Sequence, residues 1–244
     1  MNDLDHALAY RMAKLSRDAY LSREGFATRY TNFDFFSNGS TQCYLLRTDT
    51  ELIVVFRGTE PTKLNDIAAD LKFRREYEPG WGMVHRGFRG ALNLVYDKLL
   101  ARIIELRSHH KVIFTGHSLG AALATLCMAR FGDTSAYLYT FGSPRVGDRG
   151  FSECWRFQMT NCWRLRNHND VITRNPGILL GYRHVGDMYY ISHAGIVIKN
   201  PPWWVRFREF VTGTVRGLSR HHLDSFADHS ISNYVAHLRT GVDR

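Results

Sequence analysis

The spacing of hydrophobic positions changes several times along the chain, and each change predicts a different element of secondary structure. Apolar side chains recur every three or four residues over 4–22 and again over 88–107, which predicts two helices. Strand-like runs at 41–47 and 51–56 are separated by the turn-forming residues 48–50, which predicts a hairpin. The first part of the chain is therefore expected to hold a helix, two paired strands and a second helix.

The middle of the chain alternates short strand patterns with helical ones. The predicted elements are strand 111–115, helix 119–131, strands 136–141 and 161–166, and a hairpin within 187–198. Such alternation is typical of a mostly parallel central sheet with helices on both faces, to which the hairpins add antiparallel edge strands. No repeat, low-complexity segment or linker interrupts the pattern. We therefore expect residues 1–244 to form a single α/β domain.

Composition narrows the range of partners. The chain has 244 residues, of which 44% are hydrophobic, so it is long and apolar enough for one large core. Its net charge of +9 attracts anionic partners such as phospholipid headgroups or nucleic acid. Because no nucleic-acid-binding motif accompanies this charge, we expect no nucleic-acid partner, and peripheral contact with an anionic membrane surface is the remaining option. The oligomeric state is left open.

Targeting and cysteine signals are weak. The first residues lack the basic and apolar regions of a signal peptide, so we expect a cytoplasmic location, with secretion by a route without a cleaved peptide left open. The cysteines are Cys43, Cys127, Cys154 and Cys162, and they include no C-x-x-C pair, so no metal site is expected. The spacing allows a Cys154–Cys162 bridge, although reduced thiols are the default here.

The segment Gly116-His117-Ser118-Leu119-Gly120 points most directly to chemistry. It lies between a predicted strand and a predicted helix, which makes it a sharp turn with one serine at its apex. The glycines suit such a turn because a Cβ there would clash with the strand or the helix. The helix would direct its first N–H groups and its positive dipole end at a reacting carbonyl. The pattern predicts acyl transfer with Ser118 as nucleophile.

A nucleophilic serine needs a base, and the base needs a carboxylate that orients it. In α/β-hydrolases the acid follows the serine and the histidine comes last. Asp170 stands just past strand 161–166, where the acid belongs, whereas the competing Asp148 is more typical of a turn or a helix cap. His229 opens a final helix and is the predicted base. The other eleven histidines, among them His117, His193, His221, His222 and His237, are interpreted as structural or solvated.

The negative charge of a tetrahedral intermediate needs backbone N–H donors. The N–H of Leu119 is one candidate, because this residue directly follows the nucleophile. The second donor should come from a loop after an earlier strand, and Thr59 stands just after strand 51–56. We therefore predict an oxyanion hole formed by Thr59 and Leu119.

Six segments together resemble the class 3 lipases, the family that includes filamentous-fungal triacylglycerol lipases and many bacterial relatives. The matching segments are, in chain order, Val55–Thr59, Val84–Phe88, Thr115–Ala122, Thr140–Gly147, Asn169–Val171, and His229 with Tyr234. The resemblance extends from about residue 10 to about residue 240 and is to a bacterial-like member. It implies an α/β-hydrolase fold, a catalytic triad of Ser118, His229 and Asp170, and no metal or organic cofactor. It also implies that Asp70 holds the Thr59 hydroxyl, the alternative for Asp70 being a solvated charge.

The lid candidate departs from the family pattern. The segment Glu60–Ile67 lies where the resemblance implies a lid, but it is short and polar. The lid candidates within it are Pro61, Leu64 and Ile67, and Leu64 and Ile67 occupy the region where the family often has a tryptophan. A small lid implies weak interfacial activation or a permanently accessible site.

A helix predicted after Pro201 and Pro202 has two interpretations. It carries an apolar stripe at helical spacing, formed by Trp204, Phe207, Val211, Val215 and Leu218, with charged residues opposite. The stripe either packs on the core or lies on a membrane, in which case Trp203, Trp204 and Phe207 form a lipid interface.

The resemblance implies a serine carboxylic-ester hydrolase, a lipase that degrades acylglycerols through an acyl-enzyme. A phospholipase A or lysophospholipase acting on anionic membrane lipid is the alternative, which the net charge favours. A catalytically silent lipid-binding module on the same fold is the third hypothesis. Acyl chain length, headgroup and positional preference are left open.

Overall fold

The alternating pattern of strands and helices is present in a computed structural model, which describes residues 3–59, 74–208 and 228–242. The helices in these ranges are α1 (His6–Asp18), α2 (Arg23–Ala27), α3 (Arg86–Asn93), α4 (Tyr96–Leu106), α5 (Leu119–Phe131), α6 (Arg149–Gln158) and α7 (Ile231–Val242). Single 3-10 turns cover Arg107–His109, Ile172–Arg174 and Ile178–Leu180, and residues 203–208 are helical.

The strands form a large central sheet and a small second one. They are β1 (Phe33–Asn38), β2 (Thr41–Arg47), β3 (Glu51–Phe56), β4 (Arg75–Glu78), β5 (Gly82–His85), β6 (Lys111–His117), β7 (Tyr137–Phe141), β8 (Gly147–Asp148), β9 (Cys162–Asn167), β10 (Tyr182–Arg183), β11 (Asp187–Ile191) and β12 (Val197–Lys199). Within the described ranges the central sheet has the order β1-β2-β3-β6-β7-β9-β11-β12. Strands β3, β6, β7, β9 and β11 are parallel, and antiparallel pairs close both edges. The predicted mostly parallel sheet with antiparallel edges is confirmed.

Each central strand divides its side chains between two apolar clusters, because successive residues of a strand point to opposite faces. Val54 and Phe114 face one side, where they pack with α3, α4 and α5. Val55 and Ile113 face the other side, where they pack with α1 and α7. Helix α5 is buried nearly all round, which matches its run of alanine and leucine. The sheet therefore carries helices on both faces.

Two details of the fold differ from the prediction. The helix expected over 88–107 is divided into α3 and α4, because side chains from the first hairpin take its carbonyl groups. The Thr41 hydroxyl donates to the Ala91 carbonyl, and the Asn38 amide donates to the Leu94 carbonyl. The strand β1 and the small sheet β10-β8-β5-β4 were not predicted, because their strands are short or carry polar and aromatic residues without clear alternation.

The cysteines contribute no disulfide bridge to this fold. All four cysteines have free thiols, and Cys43, Cys127 and Cys162 are buried, so Cys154 and Cys162 form no bridge. In the ranges given above, no helix combines the length and the apolar character that spanning a bilayer requires.

Candidate active site

The turn between β6 and α5 holds Ser118 in a strained backbone conformation. Its φ of 56° and ψ of −125° are uncommon for any residue except glycine. A Cβ on Gly116 would collide with the backbone of Gly120, and a Cβ on Gly120 would collide with the Phe56 carbonyl. The glycines are therefore required by the close approach of β6, α5 and β3. The Ser118 side chain caps no helical N–H, and the residue is only 2% exposed.

Asp170 and His229 lie together beside the end of β7. The His229 Nδ1 and Asp170 Oδ2 atoms are 2.8 Å apart, and both side chains are buried. Gly142 follows β7 with a φ of +60°, and a Cβ on it would lie 2.8 Å from both Asp170 Oδ2 and His229 Cε1. The preceding Phe141 carbonyl accepts a hydrogen bond from the Ser118 N–H at 3.0 Å. The end of β7 thus contacts both the serine turn and the Asp170–His229 pair.

Hydrogen bonds keep Asp170 ionised in spite of its burial. The Tyr234 hydroxyl donates to Oδ2 at 2.7 Å, and the Ile172 N–H donates to Oδ1 at 3.0 Å. Burial alone would raise the pKa of Asp170, but the neighbouring His229 and the hydrogen bonds from His229 and Tyr234 hold this pKa below its usual value. An ionised carboxylate only accepts, so Nδ1 of His229 carries the proton. Nε2 is then the basic nitrogen, and it is buried without a hydrogen-bond partner among the described residues.

A second histidine supports the loop that carries His229. His117 Nε2 lies 2.6 Å from the His229 carbonyl oxygen, and its Nδ1 lies 2.8 Å from the Tyr20 hydroxyl. A carbonyl only accepts, so Nε2 must donate and Nδ1 must accept from Tyr20. Burial lowers the pKa of His117 to about 3, which keeps the ring neutral. The interpretation of His117 as a purely structural residue misses this contact with the predicted base. His117 and His229 are far apart in the chain, so no local sequence pattern indicates this contact.

The predicted oxyanion donors approach the serine turn through strand pairing. Strand β3 is parallel to β6, with Phe56 opposite Gly116, so residues 57–59 leave the sheet beside Ser118. A Cβ on Gly58 would lie 2.5 Å from the His117 carbonyl, which shows how tightly this loop passes the turn. Leu119 is the first residue of α5. Leu119 thus adjoins the predicted nucleophile in the chain, and the loop that leads to Thr59 passes the serine turn at Gly58.

The competing residues have other contacts. Asp148 caps α6 by accepting the Phe151 N–H at 2.9 Å, as its sequence context indicates. His193 is exposed, and His237 is half-buried within α7. His221 and His222 lie outside the described residues. In the part of the chain that the structure describes, no group of three or more histidine, cysteine or acidic residues is arranged to hold a metal ion.

The remaining predicted residues fall into two groups. Asp70 and the lid candidates Pro61, Leu64 and Ile67 lie outside the described residues. Trp203, Trp204 and Phe207 are described, and they are 70%, 55% and 59% exposed. None of these three aromatic side chains is therefore packed in the core. The other members of the apolar stripe, Val211, Val215 and Leu218, lie outside the described residues.

Comparison with known proteins shows which protein family this chain resembles. The family model described as "Lipase (class 3)" matches residues 53–180. The chain is 32% identical over 166 residues to a lipase of Rhizomucor miehei, a match that covers 62% of this chain and 45% of that protein. It is 31% identical over 154 residues to secreted mono- and diacylglycerol lipase A of Penicillium cyclopium, covering 59% and 49%. The match thus spans about half the length of these curated relatives.

Solved structures of lipases also resemble the structure of this chain. The structure of the Rhizomucor miehei triacylglyceride lipase superposes with a TM-score of 0.70 at 25% identity, covering 82% of this chain and 85% of that one. A triacylglycerol lipase whose structure is described as having a serine protease triad as its catalytic centre gives a TM-score of 0.67 at 26% identity, covering 79% and 82%. These likenesses confirm the α/β-hydrolase fold.

The expected cytoplasmic location is contradicted by these relatives. The Penicillium cyclopium protein and a Fusarium solani relative, 35% identical over 114 residues and covering 45% of this chain and 34% of that protein, are both named as secreted lipases. The expectation was wrong because it rested only on the lack of a visible signal peptide, an observation that does not exclude secretion.

Proposed function

Because the chain belongs to the class 3 lipase family, we propose that it is a serine carboxylic-ester hydrolase that acts on acylglycerols. The observation that carries this proposal is the buried Asp170–His229 hydrogen bond of 2.8 Å, which leaves Nε2 of His229 without a partner beside the strained turn of Ser118. A neutral imidazole oriented by a carboxylate is the base that a serine nucleophile requires. We further propose that residues 1–244 form one domain.

The first half of the reaction forms an acyl-enzyme. His229 Nε2 removes the Ser118 proton while Oγ attacks the carbonyl carbon of the ester. The N–H groups of Thr59 and Leu119 stabilise the oxyanion that develops. Helix α5 begins at Leu119, so its positive dipole end adds to this stabilisation. The protonated His229 then gives its proton to the departing alcohol, and the acyl group stays on Ser118.

The second half returns the free enzyme. His229 removes a proton from water, whose oxygen attacks the acyl carbonyl carbon. The bond from this carbon to Ser118 Oγ then breaks, His229 returns its proton to Oγ, and the carboxylic acid is released. Asp170 stays ionised throughout and stabilises the imidazolium that forms in each half. Tyr234 assists by donating to Asp170, and His117 assists by fixing the His229 carbonyl. No step needs a metal or an organic cofactor.

Substitution of the proposed nucleophile tests the assignment. We expect Ser118→Ala to abolish hydrolysis of p-nitrophenyl esters and labelling by a fluorophosphonate, while the far-ultraviolet circular dichroism stays unchanged. Ser152→Ala is a matched control, because this partly buried serine donates to the His184 carbonyl away from the turn. Substantial esterase activity in Ser118→Ala would refute the proposal. Failure of the wild type to react with the fluorophosphonate would favour a silent lipid-binding module.

A phospholipase A or lysophospholipase activity is the second candidate function. It is supported by the net charge of +9 and by exposed aromatic side chains at Trp203, Trp204 and Phe207 beside Arg206 and Arg208. Exposed apolar residues next to cationic ones are typical of peripheral membrane contact. A relative named phospholipase A(1) in Arabidopsis thaliana is 43% identical over 77 residues, which is 30% of this chain and 17% of that protein.

Parallel turnover of trioleoylglycerol and dioleoyl phosphatidylglycerol separates the two functions. Faster release of fatty acid from the neutral lipid supports the acylglycerol lipase, and faster release from the phospholipid supports the second candidate. We propose an extracellular place of action, which the names of the secreted relatives support. Asp70 as a support for Thr59 and the segment 60–67 as a lid stay predictions.

A further inference from the structure

Four arginines lie around the stretch of chain that follows Asp170, and a fifth, Arg206, lies close enough to Arg164 to affect its pKa. They come from separate elements, and we call them the arginine cluster: Arg145, Arg164, Arg166, Arg183 and Arg206. Arg164 and Arg166 alternate along β9, so both lie on the face of the sheet opposite Trp163 and Leu165. Arg164 is buried and the other four are partly buried.

Within the described residues, neutral backbone carbonyl groups hold three of these side chains, Arg145, Arg164 and Arg183, in position. Arg145 Nη1 donates to the Pro176 carbonyl at 2.7 Å and also to the Arg174 carbonyl. Arg183 Nη1 donates to the Ile178 carbonyl at 3.0 Å. Arg164 Nε donates to the Val185 carbonyl at 3.3 Å. A carbonyl oxygen accepts a hydrogen bond but supplies no negative charge, so these contacts orient the guanidinium groups without neutralising them.

The cluster differs in this respect from other partly buried arginines of the protein. Arg130 pairs with Glu78 at 2.8 Å, and Arg89 pairs with Glu76 at 2.7 Å. Among the described residues, no member of the arginine cluster forms an ion pair with a carboxylate. The Nε atoms of Arg166 and Arg206 are buried and have no hydrogen-bond partner there. Buried cationic groups without compensation are unfavourable, so this arrangement requires an explanation.

Burial and neighbouring positive charges lower the pKa values of Arg145, Arg164 and Arg166. Burial and the neighbouring Arg166, Arg145 and Arg206 lower the pKa of Arg164 to about 10, although Cys162 opposes this shift. Burial and the positive charges of the arginine cluster also hold the pKa of His184 well below its usual value, so this ring adds no charge. The ionised Asp170 acts in the opposite direction and raises the pKa of Arg166.

We propose that the arginine cluster is a binding site for a phosphate-type oxyanion, with the unsatisfied N–H groups of Arg166 and Arg206 as donors. Planar guanidinium groups bind such anions through paired, charge-assisted hydrogen bonds, and an anion would relieve the repulsion among the five cations. The site adjoins the proposed active site, because Arg166 belongs to the strand that leads to Asp170. The anion is either free phosphate or the phosphate of a phospholipid headgroup, and the second source rests on the proposed function.

Thermal unfolding in sodium phosphate against sodium chloride of equal ionic strength tests the site without any turnover. We expect phosphate to raise the Tm of the wild type by several degrees and Arg166→Gln to lose this shift, because binding to the folded state alone stabilises it. Arg206→Gln, on another element, should lose the shift as well. Arg149→Gln is the matched control, since this exposed arginine pairs with Glu153 and its substitution removes the same charge.

The Tm of Arg166→Gln should differ according to whether the anion site exists. Without an anion site, Arg166→Gln should simply relieve repulsion, so its Tm would rise in chloride and the phosphate shift would equal that of Arg149→Gln. That result, or a wild-type Tm that is the same in both salts, overturns the proposal. If Arg166→Gln fails to fold, the comparison of Arg206→Gln with Arg149→Gln decides it.

Vesicle binding distinguishes the two sources of phosphate. Two proteins that cannot hydrolyse the lipid are sedimented with phosphatidylglycerol vesicles. One carries Ser118→Ala alone, and the other carries Ser118→Ala together with Arg166→Gln. A loss of binding of about tenfold or more, matching the loss of a hydrogen bond between charged groups, assigns the site to a lipid headgroup. Unchanged vesicle binding together with a lost phosphate shift assigns it to free phosphate. Both readouts stay valid if the ester-hydrolase proposal itself fails.

Discussion

Asp170 and Glu78 are two buried carboxylates with opposite kinds of partner. Asp170 is hydrogen-bonded to a tyrosine hydroxyl and to a histidine, whose ring can gain and lose a proton. Glu78 is bonded to Arg89 and Arg130, with contacts of 2.8 to 3.1 Å. Guanidinium groups stay charged at any ordinary pH, so the Glu78 pair can only hold the structure together. The comparison teaches that burial of an acid does not indicate chemistry, whereas the titratable character of its partners does.

Removing the charge of Asp170 should have the largest effect. We expect Asp170→Asn to lower kcat for a p-nitrophenyl ester by on the order of ten-thousand-fold, because an amide favours the wrong tautomer of His229. Circular dichroism should show an unchanged fold. Asp148→Asn is the control, since asparagine also caps a helix. A greater loss of kcat in Asp148→Asn would mean that the wrong acid was chosen.

The matching change at Glu78 should act on stability. Glu78→Gln leaves Arg89 and Arg130 partly unpaired in a buried setting, so we expect the free energy of unfolding to fall by about 3 kcal/mol in urea titrations. The kcat should stay close to that of the wild type. Glu76→Gln breaks an exposed contact with the same Arg89 and should change stability by less than about 1 kcal/mol. Equal effects of the two changes would contradict the assignment of Glu78 as a buried structural charge.

Tyr234→Phe should remove one hydrogen bond from the Asp170 carboxylate without removing its charge. The tyrosine hydroxyl donates to Asp170 and accepts from the Asn167 N–H at 2.9 Å, so both groups lose a partner. We expect a loss of about 2 kcal/mol in stability and a decrease in kcat of about tenfold. Tyr44→Phe is the control, because the Tyr44 hydroxyl is buried and has no partner among the described residues. If the two variants behaved alike, the hydroxyl of Tyr234 would have no special role.

Burial of His117, a neighbour of Asp170, should make the stability of the protein depend on pH. The unfolded chain protonates His117 near its ordinary pKa of 6.5, whereas burial lowers this pKa to about 3 in the folded state. The unfolded state therefore binds more protons between these values, and stability falls with decreasing pH by up to about 1.4 kcal/mol per unit. Among the described residues, Tyr20, Tyr234, His229 and Asp170 are titratable groups around His117, and Asp170 contributes only below its own ordinary value of 3.8.

Chemical denaturation at pH 4 to 7 measures this slope. We expect His117→Gln, whose amide can still donate to the His229 carbonyl, to make the slope shallower while keeping most of the kcat. Glu78→Gln should leave the slope as it is. An unchanged slope in His117→Gln would show that His117 is not held neutral.

The sequence predicted the parts of this molecule that follow local patterns. Chain order and strand ends led to Asp170 and His229, whose side chains lie 2.8 Å apart. The contact of Tyr20 with His117 joins residues 97 positions apart, and no periodicity records such a pair. The break between α3 and α4 depends on hydrogen bonds from Asn38 and Thr41, which come from a distant hairpin. Tertiary contacts of this kind override local propensity.

The central sheet separates the two apolar clusters, and this has a consequence for how the protein can vary. Substitutions in α5 affect the packing of the proposed nucleophile, whereas those in α1 and α7 affect the support of the proposed base. Sites that share no neighbours usually contribute additively to stability. A lineage, or an engineer, can therefore alter most positions of the two clusters in separate steps, whereas a change at His117, which precedes Ser118 and contacts the His229 carbonyl, affects both halves of the catalytic apparatus.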